Sequence, residues 1–366
     1  MTDRTHYNLP GHTISSIKNF FREYKPSVIK NINYEDGFDR LVEVDEFVKC
    51  CIDKKELPGF HEIHRPEIGT IYVGSPLACL FYEKINEWVE LYRPHLHYSP
   101  HIEIFFRSCI DLRIAHEPLE SPRRVHHDGK PHGVRFNELI DYIRSMALSK
   151  PFQNRADEAR SRRMKHFIRT MTDIDYLFEH VRSRMMVMRL DLHYRREFIG
   201  MVEPEEADNN FKRFLSNMKG KPSLFDDMLY YVWKAEQSRS GAYHYHFLFF
   251  FTNERLLKDD YRAKQIGEYW SKEITQGRGT YFNANLSEEK EKHKKLAIGR
   301  IEWTDHQKRD NLKNIIAYFC KDDQGLRTKV SKKTRSYGSS TIIRNKGKEM
   351  GRPRIEHPPV DQALKK

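Results

Sequence analysis

Apolar positions recur at helical spacing through residues 77–92 (LACLFYEKINEWVELY) and again through 134–148, so each stretch predicts an amphipathic helix. The proline-punctuated segments RPHLHYSPH and EPLESPRRVHHDGKPHG read as loops. Beyond a boundary expected near 172–179 the pattern changes. Residues 185–194 alternate, with Met186, Met188, Leu190 and Leu192 on one side and Arg189, Asp191 and His193 on the other, which predicts a strand. A helix follows over about 208–218, closed by Gly220. Two β-rich runs, 228–236 and 243–251, are separated by QSRSGA and predict an antiparallel hairpin. A helix over 261–274, a short strand over 298–303 and a last helix over 311–321 complete the series. The order β-α-β-β-α-β-α predicts an α+β fold, an antiparallel sheet of the split βαβ type with its helices gathered on one side. Three parts are expected: a mainly helical region 1–178 of unknown role, a sheet domain 179–325, and a tail 326–366.

Composition narrows the setting. A chain of 366 residues with 38% hydrophobic and 32% charged residues has material for two cores beneath a heavily solvated surface. Its most apolar short run, 243–251, is roughly half of what a helix needs to span a bilayer, and the first residues carry no apolar signal core. Five cysteines, odd in number and without a C-x-x-C pair, argue against a disulfide or structural zinc framework. The expected setting is the cytoplasm, with no membrane partner.

Charge is unevenly spread. Of a net +12, nine charges lie in residues 326–366, where twelve Lys or Arg face three acidic residues. Clustered cations gain affinity for a polyanion by releasing counterions from phosphates, so this tail predicts a nucleic-acid arm that orders on its ligand. Arg335, Arg344, Lys346, Arg352 and Arg354 are its candidate DNA contacts. Gly351-Arg352-Pro353-Arg354 resembles the core of AT-hook arms, which enter narrow minor grooves.

Candidate chemistry sits on the hairpin. His244 and His246, two residues apart on a strand, share a face. A three-residue loop at 239–241 would set Glu236 opposite His244, and two imidazoles with one carboxylate suit a divalent cation, Mg²⁺ or Mn²⁺, able to grip a phosphate oxygen. One H-x-H among 19 histidines is expected by chance, and His95-Leu96-His97 is read as such a decoy in a loop. His126, His127 and His132 are read as loop too, or as a surface metal site. A tyrosine on a helix facing the metal would supply the nucleophile. Tyr-x-x-Lys occurs four times, beginning at Tyr231, Tyr261, Tyr269 and Tyr318. On a strand Tyr231 and Lys234 point to opposite faces, and Tyr261 and Tyr269 belong to the crossover helix. Tyr318 and Lys321 share one face of the last helix, so Lys321 can steady the phenolate of Tyr318.

GAYHYHFLFFF and IIAYFCKDDQG together resemble the two motifs of HUH endonucleases. More narrowly, the stretch from MMVMRLDLHY to GRPR, about half the chain, is similar to the filamentous-phage (inovirus) gene-2-type replication initiators, also described as the YagK/YfjJ C-terminal domain family of prophage proteins. The resemblance implies a metal-dependent endonuclease that nicks single-stranded DNA at an origin and starts rolling-circle replication. It implies His244 and His246 as metal ligands, Tyr318 as nucleophile and Lys321 as its neighbour. Tyrosine following the histidines favours an initiator over a plasmid relaxase. No G-x-x-x-x-G-K-[ST] loop is present, so strand separation would need a host helicase. Two rivals stand beside this reading: a prophage DNA-binding protein without activity, and an HUH transposase or relaxase.

Overall fold

The computed structural model describes residues 38–94, 96–237, 242–252, 259–292, 297–320, 327–328 and 335–342. Its first part holds helix α1 (Phe38–Asp53), a hairpin of β1 (Phe60–Arg65) and β2 (Gly69–Gly74), the short helices α2 (Pro76–Phe81) and α3 (Ile85–Val89), strand β3 (Leu96–His97), and helices α4 (Pro100–Asp111) and α5 (His132–Leu148). Phe47, Trp88, Phe105 and Phe136 interlock at its centre. The single helix expected over 77–92 is broken by a 3₁₀ turn, where Tyr82 turns inward and its hydroxyl donates to the Glu120 carbonyl at 2.5 Å. The β1–β2 hairpin has no counterpart in the sequence reading, because the side chains of β1 are mostly exposed and those of β2 half-buried, which leaves no apolar alternation.

Helix α6 (Lys150–Tyr176) then runs without interruption into a π turn at Leu177–Val181. Its start packs on the first core through Phe152, while Phe167, Ile174, Leu177 and Phe178 belong to the core of the following sheet. That sheet is built from β4 (Arg184–Tyr194), helices α7 (Pro204–Asn217) and α8 (Pro222–Phe225), β5 (Met228–Gln237), β6 (Tyr243–Thr252), α9 (Asp259–Tyr269), β7 (Gly279–Asn283), α10 (Ser287–Lys292), β8 (Gly299–Glu302) and α11 (His306–Phe319). Two-residue β9 (Arg327–Thr328) and β10 (Tyr337–Ser339) follow. The strand order is β10-β5-β6-β4-β7, all antiparallel, with β8 also on β4. β6 therefore lies between β4 and β5, and the architecture is α+β.

Helices cover both faces of this sheet, not one. Phe211 and Phe214 of α7 and Ile266 of α9 pack on Trp233, Tyr245, Phe247 and Phe249, while α6 and α11 close the opposite face over Val187, Val232, Leu248 and Phe250. The free edge of β4 is shared by two short strands. β8 pairs with residues 184–187 and β7 with 190–194. Between them Asn285 clamps the peptide of Arg189: its Oδ1 accepts the Arg189 N–H at 3.1 Å and its Nδ2 donates to the Arg189 carbonyl at 2.7 Å.

Two further expectations change. Leu96–His97, read as loop, forms β3 and pairs with β9. Residues 335–342, assigned to a free basic arm, carry β10 on the edge of β5, with Tyr337 stacked on His166 at 4.6 Å and hydrogen-bonded to Thr170 of α6. One buried aromatic in a basic run gives no periodicity from which to predict an edge strand. Among the described residues, no helix is long and apolar enough to cross a membrane.

Candidate metal and nucleophile site

The alternation of three strands sorts their side chains into two sets. On the face beneath α11, β6 supplies His244 and His246, β4 supplies Arg189, Asp191 and His193, and β5 supplies Lys234 and Glu236. Glu236 stands opposite His244, the pairing expected from the sequence, and Lys234 stands opposite His246. The loop proposed for 239–241 lies outside the described residues.

His246 is wholly buried between two carboxylates, its Nδ1 3.0 Å from Asp191 Oδ1 and its Nε2 3.3 Å from Glu236 Oε2. Arg189 holds Asp191 with two nitrogens at 3.1 and 3.2 Å, and Lys234 Nζ lies 2.7 Å from Glu236 Oε1. Burying so many charges is tolerable only because each faces an opposite one. Burial pushes the Glu236 carboxyl up, but Lys234 and His246 more than offset it and hold it at about 2. Asp191 is likewise depressed: burial opposes its charge, and Arg189 and His246 prevail. Burial disfavours the charged ring of His246, yet Asp191 and Glu236 raise its pKa. His244 goes the other way. Burial, then the charges of His246 and His193, push it down to about 4. His193 is lowered mainly by burial. These last two rings, 5.6 Å apart, are only partly covered and form the open end of the site.

Helix α11 brings Tyr318 over this face. Asp305 caps the helix by accepting from Lys308 N at 3.0 Å, and Arg309 pairs with Asp175 and stacks on Phe178, which fixes the helix against α6. Tyr318 is 5% exposed, and Lys234 Nζ sits 4.5 Å from its ring centroid. The same ammonium is 3.4 Å from the Tyr318 carbonyl oxygen. Lys234 therefore links the carboxylate expected to bind metal with the tyrosine expected to attack. Sequence reasoning set Lys234 aside because it could not serve Tyr231. Asp191, Arg189 and Lys234 were missed although their alternation was visible, since nothing local says which buried polar face a distant helix will cover. Tyr261 is exposed, and Tyr269 lies under the opposite sheet face, where its hydroxyl accepts from Asn217 at 2.8 Å. Arg335 is exposed. Lys321, Arg344, Lys346, Arg352 and Arg354 lie outside the described residues.

The donor set suits a hard divalent ion in part. Ligands ~2.1 Å from an octahedral ion stand ~3 Å apart, close to the observed His246–Glu236 separation. Asp191 on Nδ1 is the usual outer partner that frees Nε2 for a metal. His244 does not converge with the other two: among the described residues, the group of three with every ligand atom within 4.8 Å of the others is Glu117, His126 and His127.

A family profile decides the relationship. The YagK/YfjJ C-terminal domain profile matches residues 152–340, just over half of the chain. The chain belongs to the YagK/YfjJ C-terminal domain family. No curated protein and no solved structure matches it. The YagK/YfjJ C-terminal domain thus begins near the start of α6 and ends one residue after β10, so it takes in the whole sheet, α11 and the polar face described above.

Proposed function

We propose that this chain is an HUH-type endonuclease of the phage or prophage replication-initiator kind, which nicks single-stranded DNA at an origin and joins itself to the 5′ phosphate. The observation that carries this reading is the register that sets His244, His246 and Glu236 on the sheet face covered by the Tyr318 helix. The split order of β4, β6 and β5, with crossover helices α7 and α9 on the far face, agrees with it. In the proposed reaction the Tyr318 oxygen forms a bond to phosphorus, the bond from phosphorus to the 3′ oxygen breaks, and the tyrosine proton is balanced by the proton that the 3′-OH gains. The bond energy is kept in the phosphotyrosine, so no nucleotide cofactor is required.

His246 and Glu236, joined by His244 once its ring turns toward them, would hold the divalent ion, Mg²⁺ or Mn²⁺, which when bound would supply Lewis acidity toward a phosphate oxygen. For this His246 must give up its Nε2 proton, and Asp191, anchored by Arg189, keeps the ring oriented as it does so. Lys234 neutralises Glu236 and places a positive charge beside Tyr318, where negative charge develops. The partner would be single-stranded and origin DNA, with a host helicase opening the duplex. A cleft of about 520 Å³ along α6, lined by Glu158, Ser161, Arg162, Lys165, His166 and Arg169, carries three cationic side chains against one carboxylate next to β10, charge that suits a phosphate.

A pool of single-stranded oligonucleotides incubated with the protein and Mn²⁺ tests this. A covalent adduct mapped to residue 318 supports the proposal, and an adduct at another tyrosine overturns the assignment. Two observations favour the rival of a DNA-binding protein without activity: Tyr318 is buried, and Glu236 already has an internal cation in Lys234. Retained single-strand binding without nicking in either metal would select that rival, whereas joining of donor strands without origin nicking would select a transposase or relaxase.

A further inference from the structure

We propose a second metal site, distant from the sheet in the chain, at Glu117, His126 and His127. These residues lie in the segment between α4 and α5. The segment doubles back through a turn in which His126 N donates to the Lys130 carbonyl at 2.8 Å and Gly129, at φ +83°, donates to the His126 carbonyl at 2.9 Å. The turn brings both imidazoles against Glu117, whose Oε1 accepts the His127 backbone N–H at 3.1 Å. Glu117 Oε2 then faces His126 Nε2 at 3.1 Å and touches His127 Nδ1.

A second observation concerns His126, whose side chain is wholly buried. Asp128 lies 3.1 Å from its Nδ1, a contact that suits a proton on that nitrogen and leaves Nε2 facing Glu117. Nε2 has no hydrogen-bond partner, although a carboxylate oxygen is within reach. A buried ring nitrogen facing a carboxylate calls for a positive charge between them, a proton or a metal ion. Zn²⁺ meets it: bonds of ~2.0 Å in tetrahedral geometry put ligand atoms ~3.3 Å apart, near the 3.1 Å seen, and an imidazole–carboxylate set suits zinc. His132 is not a ligand, because its Nδ1 accepts from the Glu120 N–H at 2.6 Å and its proton therefore sits on Nε2. The site contains no thiolate. Three ligands from one loop, with His127 half exposed, would staple residues 117–127 and leave one coordination position open to solvent.

Full-length protein stripped by a chelator is titrated with Zn²⁺ alone, and bound metal is counted by mass spectrometry. The expected result is one more tight equivalent in the wild type than in Glu117→Gln or His127→Ala. His244→Ala retains this equivalent, which separates it from any metal on the sheet. Asp128→Asn weakens it about ten-fold or more, as loss of an outer partner does. Co²⁺ in place of zinc gives the wild type a visible ligand-field band that both ligand variants lose; this reads the site without any change in folding. Equal zinc uptake and affinity in wild type, Glu117→Gln and His127→Ala overturns the proposal. So does a wild type that binds no zinc, since the cation between Glu117 and His126 is then only a proton on the ring.

Discussion

The two faces of the central sheet are made by the same three strands, yet they are held by different physics. Toward α7 and α9 the residues are Trp233, Tyr245, Phe247, Phe249 and Phe251, an aromatic layer whose stability comes from area removed from water. Toward α6 and α11 the inner half is apolar, with Val187, Leu248 and Phe250, and the outer half is the charged set around His246. The contrast teaches that one register can fix a core and a reactive surface together, provided that polar residues are confined to one end of one face. A slip of one residue would drive the charges into the aromatic layer.

The largest expected effect separates the two tyrosines that lie on opposite sides of the sheet. Tyr318→Phe should abolish the covalent adduct with DNA, while Tyr269→Phe should leave its yield unchanged, as measured by mass spectrometry of the trapped peptide. Each change removes only a hydroxyl, so lost packing cannot account for a difference.

Stability gives the next break. Phe247→Ala should cost about 3–5 kcal/mol through the cavity that it leaves. His246→Ala should cost about as much for another reason, because Asp191 and Glu236 lose the buried cation they share and each keeps only one partner, Arg189 and Lys234. An open metal site would have made the histidine cheap to remove; its complete burial says otherwise. Urea unfolding of the triple variant Lys234→Met/Glu236→Gln/His246→Ala tells the causes apart, since removing the Lys234–Glu236 pair together with the ring leaves no carboxylate there in need of the lost cation and should recover part of the loss, while no such rescue exists for Phe247.

A smaller effect is seen through pH. The folded pKa of His244, about 4, lies below its ordinary 6.5. As pH falls through 6.5 the unfolded chain takes up a proton that the folded one refuses until about 4, so stability declines across that window by up to about 3 kcal/mol. Below 4.5 the depressed Glu236 adds to the decline, because its contribution is present above its unfolded value and is lost as pH falls toward 2. His246, raised in the fold, contributes fully below 6.5 and loses its share as pH climbs through its folded pKa. His244→Asn should flatten the slope between 6.5 and 4 in urea midpoints; an unchanged slope would mean that the ring protonates freely in the folded protein.

The smallest expected effect is at the sheet edge. A Cβ on Gly338 would come 2.7 Å from the Trp233 ring, so Gly338→Ala should cost about 1–3 kcal/mol by forcing β10 outward. Comparison of thermal midpoints would detect it.

What could be read in the chain follows from the range of the forces involved. His244, His246 and Glu236 fall on one face because strand alternation and a short hairpin are local rules, and their register agrees with that reading. Lys234 was visible as a residue but not as a neighbour of Tyr318, which is 84 positions away and arrives only when α11 packs on the sheet. The second helical layer escaped for the same reason: α6 looks Arg-rich and solvated over 155–165, and its apolar residues Phe167 and Ile174 find the sheet only through tertiary packing. β10 depends on one aromatic, Tyr337, whose pocket is formed by residues of α6 far earlier in the chain.

The clamp of Asn285 on the Arg189 peptide has a consequence for motion. Everywhere else along the outer edge of β4 a neighbouring strand shields the backbone, whereas at this position one side-chain amide does so. A side chain can let go by a single rotation, without any strand separating. Deuterium should therefore enter at the Arg189 amide through a small local opening, well before it enters at Leu192 or Phe249, whose release requires the sheet to come apart. That opening lies two residues from the carboxylate that orients His246, so the most deeply buried ring of the site, on β6, leans on the most easily loosened peptide of β4.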